Sequence, residues 1–152
     1  MVTRACVALL ALALAIPLGA APAAAWTTEA GGGTVLIQHQ DQGWNLEFRC
    51  QRANPGVLGF ALAAPSAPSL AGTSAVSLFA TFPNGDIVRE DIPVGTQGRF
   101  ARGTWNVGPR ALELFAQGTG LGVGLNGDNI VLRTNMTGTY AARQAIRSQC
   151  GF

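Results

Sequence analysis

Apolar and polar positions alternate along most of this chain. From Trp44 to Cys50, Trp44, Leu46, Phe48 and Cys50 fall on one side and Asn45, Glu47 and Arg49 on the other. Strand side chains repeat every two residues, so this stretch predicts a half-buried strand with Cys50 on its inward stripe. Thr34 to Gln40 predicts its neighbour, joined through Asp41-Gln42-Gly43, a short hairpin loop with glycine where a positive φ is needed. Gly56 to Ala63 predicts a third strand. Ala75 to Phe82 and Asp86 to Ile92 predict a hairpin around Pro83-Asn84-Gly85-Asp86, where Asn-Gly suits a type I′ turn. Gln97 to Asn106 predicts another strand, with Phe100 and Trp105 on opposite faces. Leu121 to Leu125 and Ile130 to Met136 pair across Asn126-Gly127-Asp128-Asn129. Trp26 to Gly33 lacks periodicity and reads as a flexible lead-in, and Pro65 to Gly72 as a loop.

The period changes at Gly108-Pro109. Proline suits a first helical position, and Ala111, Leu112, Leu114 and Phe115 follow at helical spacing until Gly118, predicting a helix over 109–117. The alternation of Leu112, Glu113 and Leu114 also permits a strand there. Thr139 to Gln149 predicts a second helix. Its inward stripe is Ala142, Ile146 and Cys150, with Arg143, Gln144, Arg147 and Ser148 outward. Strands followed by a terminal helix favour an α+β domain: a largely antiparallel sheet of about six to eight strands, with both helices packed on one face.

Residues 1–25 follow a different pattern. Arg4 supplies a positive start, Cys6 to Leu18 an apolar run, and Ala23-Ala24-Ala25 a small-residue cleavage site. The run is shorter than the roughly 20 residues that cross a bilayer core. This predicts a cleaved secretory signal at 1–25, a lead-in at 26–33 and a single domain at 34–152. The protein is then periplasmic or secreted, with no membrane insertion after cleavage. The positive mean hydropathy comes largely from the signal.

Removing the signal changes the cysteine count from three to two, Cys50 and Cys150. In an oxidising compartment such a pair predicts one disulfide, closing a loop of about 100 residues and worth up to about 4.7 kcal/mol on chain-entropy grounds. Two free buried thiols or a bridge between chains are the alternatives. The remaining nine basic residues are all arginine and face eight carboxylates. That near balance gives no electrostatic reason to expect nucleic acid or an anionic membrane surface as partner.

Candidate chemistry is sparse. His39 is the only histidine, and with Asp41 it makes a hairpin-end polar pair rather than a metal site, which needs three or four ligands. Cys50 and Cys150 lack the C-x-x-C spacing of a redox pair. Asp86, Glu90 and Asp91 cluster near one hairpin. Glu90 and Asp91 point to opposite faces; Glu90 and Asp86 can share one, which a solvated strand surface explains fully, although a glycosidase would also need two carboxyls held together. Neither Asn-Gly-Asp turn carries an EF-hand ligand set. Ser66, Ser69 and Ser74 lack a nucleophile-elbow context. Asn135-Met136-Thr137 matches a glycosylation acceptor that matters only in a eukaryotic secretory route. No catalytic, cofactor or metal residues are assigned.

The closing stretch, Ile130 to Phe152, runs from a strand through Gly138-Thr139 and an Ala-rich helix to Cys150-Gly151-Phe152. With the upstream Leu46-Glu47-Phe48-Arg49-Cys50, it resembles small exported proteobacterial proteins, those associated with invasion locus B and with type VI secretion. The resemblance implies a non-enzymatic envelope protein with a mixed strand and helix domain. It carries over only Cys50, Cys150 and the Gly138 turn.

The function expected is an exported binding or envelope-assembly module without cofactor, expected as a monomer, contacting another envelope protein or a small ligand. Its candidate contact loops are Pro65 to Gly72 and Gly95 to Gly103, since Gly/Pro-rich connections often carry function, although plain linkers account for both more simply. The alternatives are a small periplasmic hydrolase using Asp86 or Glu90, and a structural or stress-related envelope protein.

Overall fold

The computed structural model describes residues 25–107 and 109–152, with the side chains of 109–111 left aside. Residues 1–24 of the expected export signal, with Arg4 and Cys6, lie outside the described residues, as does Gly108. Nine strands form one antiparallel sheet: β1 (Thr27–Gly31), β2 (Thr34–Asp41), β3 (Trp44–Gln51), β4 (Val57–Ala63), β5 (Ala75–Thr81), β6 (Ile87–Gln97), β7 (Phe100–Asn106), β8 (Gly120–Leu125) and β9 (Asn129–Asn135). Their order is β1-β2-β3-β4-β7-β6-β5-β8-β9, and the sheet curls into a half-barrel. Two helices complete the domain, α1 (Pro109–Gln117) and α2 (Thr139–Cys150).

Nine strands exceed the six to eight expected. The extra one is β1, from the stretch read as a lead-in. Its side chains are mostly exposed, so no apolar alternation marks it. Backbone pairing to β2, from Thr27 opposite Gln38 to Gly31 opposite Thr34, is what orders it. Helix also prevails over strand at 109–117.

The turns follow their residues. Gln42 and Gly43 both have positive φ between β2 and β3. At Pro83-Asn84-Gly85 only Gly85 does, so the expected type I′ turn is not formed. Proline fixes its own φ near −65°, and the chain instead makes a tight turn closed by Gly85 N–H to the Phe82 carbonyl at 3.0 Å. The predicted contact loop Gly95–Gly103 is a hairpin, the end of β6 and the start of β7 around Gly98-Arg99. The other, Pro65 to Gly72, contains a short 3-10 turn (Ala67–Leu70) pinned by buried Leu70.

Phe48 on β3 is the hub of the core. Its ring meets Trp26, Phe60, Trp105 and, edge-on at 5.4 Å, Phe115 of α1. α2 lies across β1, β2 and β3 with Ala142, Ile146 and Cys150 buried, and α1 packs on α2. Cys50 and Cys150 form a disulfide with a Cα–Cα separation of 6.1 Å. Arg52 reinforces that corner, donating to the Gln149 carbonyl at 3.1 Å and the Ser148 carbonyl at 3.4 Å. Such carbonyls at a helix end have no partner within the helix.

Candidate functional site

β6 belongs to two parts of the sheet at once. Residues Ile87 to Pro93 pair with β5, and Val94 to Gln97 pair with β7. The change falls at Pro93. Continuing the β6–β7 register would set Pro93 opposite Thr104, in a pair that needs an N–H that proline lacks. Gly103 accommodates the bend, since a Cβ there would collide with the Pro93 carbonyl oxygen. Beyond this point β6 and β7 part, opening a seam in the sheet.

The seam is a cleft. At its wide end, between the β5–β6 turn and α1, is a cavity of about 380 Å³ lined by Phe82, Pro83, Asn84, Asp86, Val88, Glu113 and Gln117. It adjoins a narrow apolar recess through Phe82 and Val88, where Leu78, Ala80, Trp105 and Leu114 meet Glu90. Trp105 is 5% exposed, and among the described residues its indole Nε1–H has no hydrogen-bond partner. A buried donor without an acceptor is costly, typically by about 1–3 kcal/mol.

The register explains why a carboxylate stands here. Glu90 lies opposite Leu78, and Val88 opposite buried Ala80, so both are on the core-facing side of β6. Glu90 stays exposed because the seam is open beside it. Asp86 accepts from Asn84 Nδ2 at 2.8 Å. Among the described residues, neither Glu90 nor Glu113 has a salt-bridge partner, and no arginine lines either cavity. An apolar floor with an acidic rim suits an apolar ligand bearing a basic group.

Asp91 faces the other way, as the alternation predicts. It accepts from Ser77 Oγ and, in two bonds, from Arg89 Nε at 2.9 and 3.2 Å. Arg89 continues to Asp128 at 3.0 Å and lies over the Phe79 ring at 5.4 Å. Hydrogen bonds from Ser77 and then Arg89 hold the Asp91 carboxyl below its ordinary range. The cluster braces the outer face of β5, β6 and the β8–β9 turn.

His39 is not the hairpin-end polar residue expected. It is 2% exposed, its ring is 5.0 Å from that of Trp26, and among the described residues its Nδ1 has no hydrogen-bond partner. Burial lowers its pKa, opposed by the nearby Asp41 charge. Its period with Val35 and Ile37 turns it inward, opposite buried Leu46, and Trp26, from the stretch read as lead-in, covers it. Among the described residues no three of His, Cys, Asp and Glu are grouped to hold a metal ion, and no helix is long and apolar enough to cross a membrane.

Asn126 makes its turn structural: its side chain accepts from the Ser74 and Ala75 N–H groups and donates to the Gly72 carbonyl. Ser66 and Ser69 hydrogen-bond each other, and Ser74 Oγ also reaches Asn126. Sequence reasoning missed Trp105 and Glu113 as cleft residues. The available signal was Pro93, a proline inside a strand-like run. No family model matches this chain, and no curated protein or solved structure is significantly similar to it.

Proposed function

We propose that this protein is an exported, periplasmic or secreted binding module without catalytic activity, and that the cleft beside β6 is where it binds. One observation carries the reading: an apolar recess lined by Leu78, Ala80, Trp105 and Leu114 adjoins a wider cavity rimmed by Asp86 and Glu113, with Glu90 at the join. These are a few convergent polar groups on an apolar floor, the usual composition of a ligand site. The resemblance of the two ends of the domain to exported envelope proteins supports an envelope location, and a disulfide is compatible with it.

The hydrolase reading has one point in its favour, that Asp86 and Glu90 border adjoining cavities. Against it, both are exposed, and His39 is buried on β2 and lines neither cavity. Two measurements separate the readings. A photo-crosslinking side chain at Gln117, on the cleft rim, should capture one discrete partner in cells, and the same probe at Thr28 on β1 should not. Loss of that product on Glu113→Arg, which reverses a charge on the exposed rim, places binding in the cleft. Equal labelling from both positions would refute it. Turnover of ester, glycoside or peptide substrates that disappears in Asp86→Asn/Glu90→Gln would favour the enzyme.

A further inference from the structure

The edge of β6 at the seam has a property that side chains alone do not describe. Phe82 N–H donates to the Asp86 carbonyl, and Val94 N–H to the Ser74 carbonyl, so the even-numbered residues of β6 exchange hydrogen bonds with β5. In an antiparallel pair the intervening residues turn their backbone groups to the opposite edge. Those are Ile87, Arg89 and Asp91, and among the described residues no strand lies on that edge to hydrogen-bond with them. Their N–H and C=O groups form an unfilled strand edge inside the sheet, not at its rim.

Such an edge is a template for another chain unless it is short, charged or covered. Six residues, Ile87 to Ile92, is the length of an ordinary strand. α1 lies beside the core-facing side of β6, where Glu113, Leu114 and Gln117 line the cavities with Val88 and Glu90, but among the described residues no backbone hydrogen bond joins it to Ile87, Arg89 or Asp91. The only charge on the core-facing side is Glu90. On the other side Arg89 and Asp91 neutralise each other, and Ile87 is 66% exposed.

We propose that the β6 edge accepts an extended peptide segment of a partner as an added strand, with a basic side chain of that segment against Glu90. The inference rests on reading the cleft as a binding site and names what enters it. Strand addition combines main-chain hydrogen bonds with pockets for alternate side chains; the unfilled edge offers the first and the cavity of about 380 Å³ at its wide end the second. Asp86, Glu90 and Glu113 supply the charge complement to a lysine or arginine. Phe82 and Val88 receive the apolar residue two positions along. The segment enters at the wide end, by the β5–β6 turn, and the recess at Trp105 limits how deep its inward side chains reach.

The probe is the synthetic peptide acetyl-Thr-Val-Thr-Arg-Thr-Val-Thr-amide, titrated into ¹⁵N-labelled, disulfide-intact protein. Val and Arg share one face and Thr occupies the other. The backbone amides of Ile87, Arg89 and Asp91 and the indole N–H of Trp105 should shift together. Replacing the peptide arginine by glutamate should weaken binding at least about tenfold, and Glu90→Lys should invert that preference. Two N-methylated versions, modified at odd or at even residues, test the backbone: one should lose binding. No shift of the three amides with the arginine peptide overturns the proposal. So does undiminished binding of both N-methylated peptides, but the cleft would then remain a binding site for side chains or small ligands, and the reading beneath the proposal would survive.

Discussion

His39 lies against Trp26 with its Nδ1 unpartnered, so a proton taken up there gains no hydrogen-bond partner to offset its burial. An unfolded histidine titrates near pH 6.5, and burial lowers the folded value. Above about pH 6.5 both states are neutral and the native state is at full stability. As pH falls through the window between the two values, the unfolded chain binds a proton that the native one refuses, and stability is lost. The slope for one proton is at most about 1.4 kcal/mol per pH unit. Urea unfolding between pH 7.5 and 5 should show a decline that is reduced in His39→Phe, which keeps an aromatic ring against Trp26. An unchanged decline would assign the pH dependence to other groups.

Among elements, β6 has the least uniform surroundings, and two measurements follow from that. Amide exchange should alternate along it: Val88 and Glu90, bonded to β5, should be protected, and Ile87, Arg89 and Asp91 should exchange faster. Uniform protection would mean that the seam is closed in solution. Gly103→Ala should destabilise the domain by about 1–3 kcal/mol, the usual range for overpacking, because the added methyl meets the Pro93 carbonyl and the Ile92 and Val94 side chains. Gly95→Ala, with open space around it, is the control and should cost far less in the same denaturant titration.

For the whole molecule, the disulfide and the N-terminal tryptophan do similar work from different ends. Cys50 and Cys150, 100 residues apart, fasten α2 to β3. Trp26 Nε1 donates to the Asn135 carbonyl at 2.8 Å, linking the start of β1 to the end of β9, the two outermost strands of the sheet. Removing the bridge with Cys50→Ala/Cys150→Ala should lower stability by about 2–5 kcal/mol. Comparing oxidised and reduced protein in the same denaturant checks it, and no difference would mean that core packing around Phe48 suffices.

Local pattern was enough for eight of the nine strands, because each of those runs presents apolar side chains at strand spacing to a core. It was enough for both helices, and it put Cys50 and Cys150 on inward stripes that the structure joins. What pattern could not supply were features that depend on neighbours. β1 is a strand only because β2 is beside it, and Trp26, in a stretch without alternation, is buried because it folds over His39 and Phe48. Glu90 lies on the core-facing side of its strand, as its period requires, yet meets solvent because Pro93 ends the pairing with β7. Side-chain period is a property of one strand and is written in its residues. Whether a strand edge is filled depends on where the rest of the chain goes, and in this protein that decided the site.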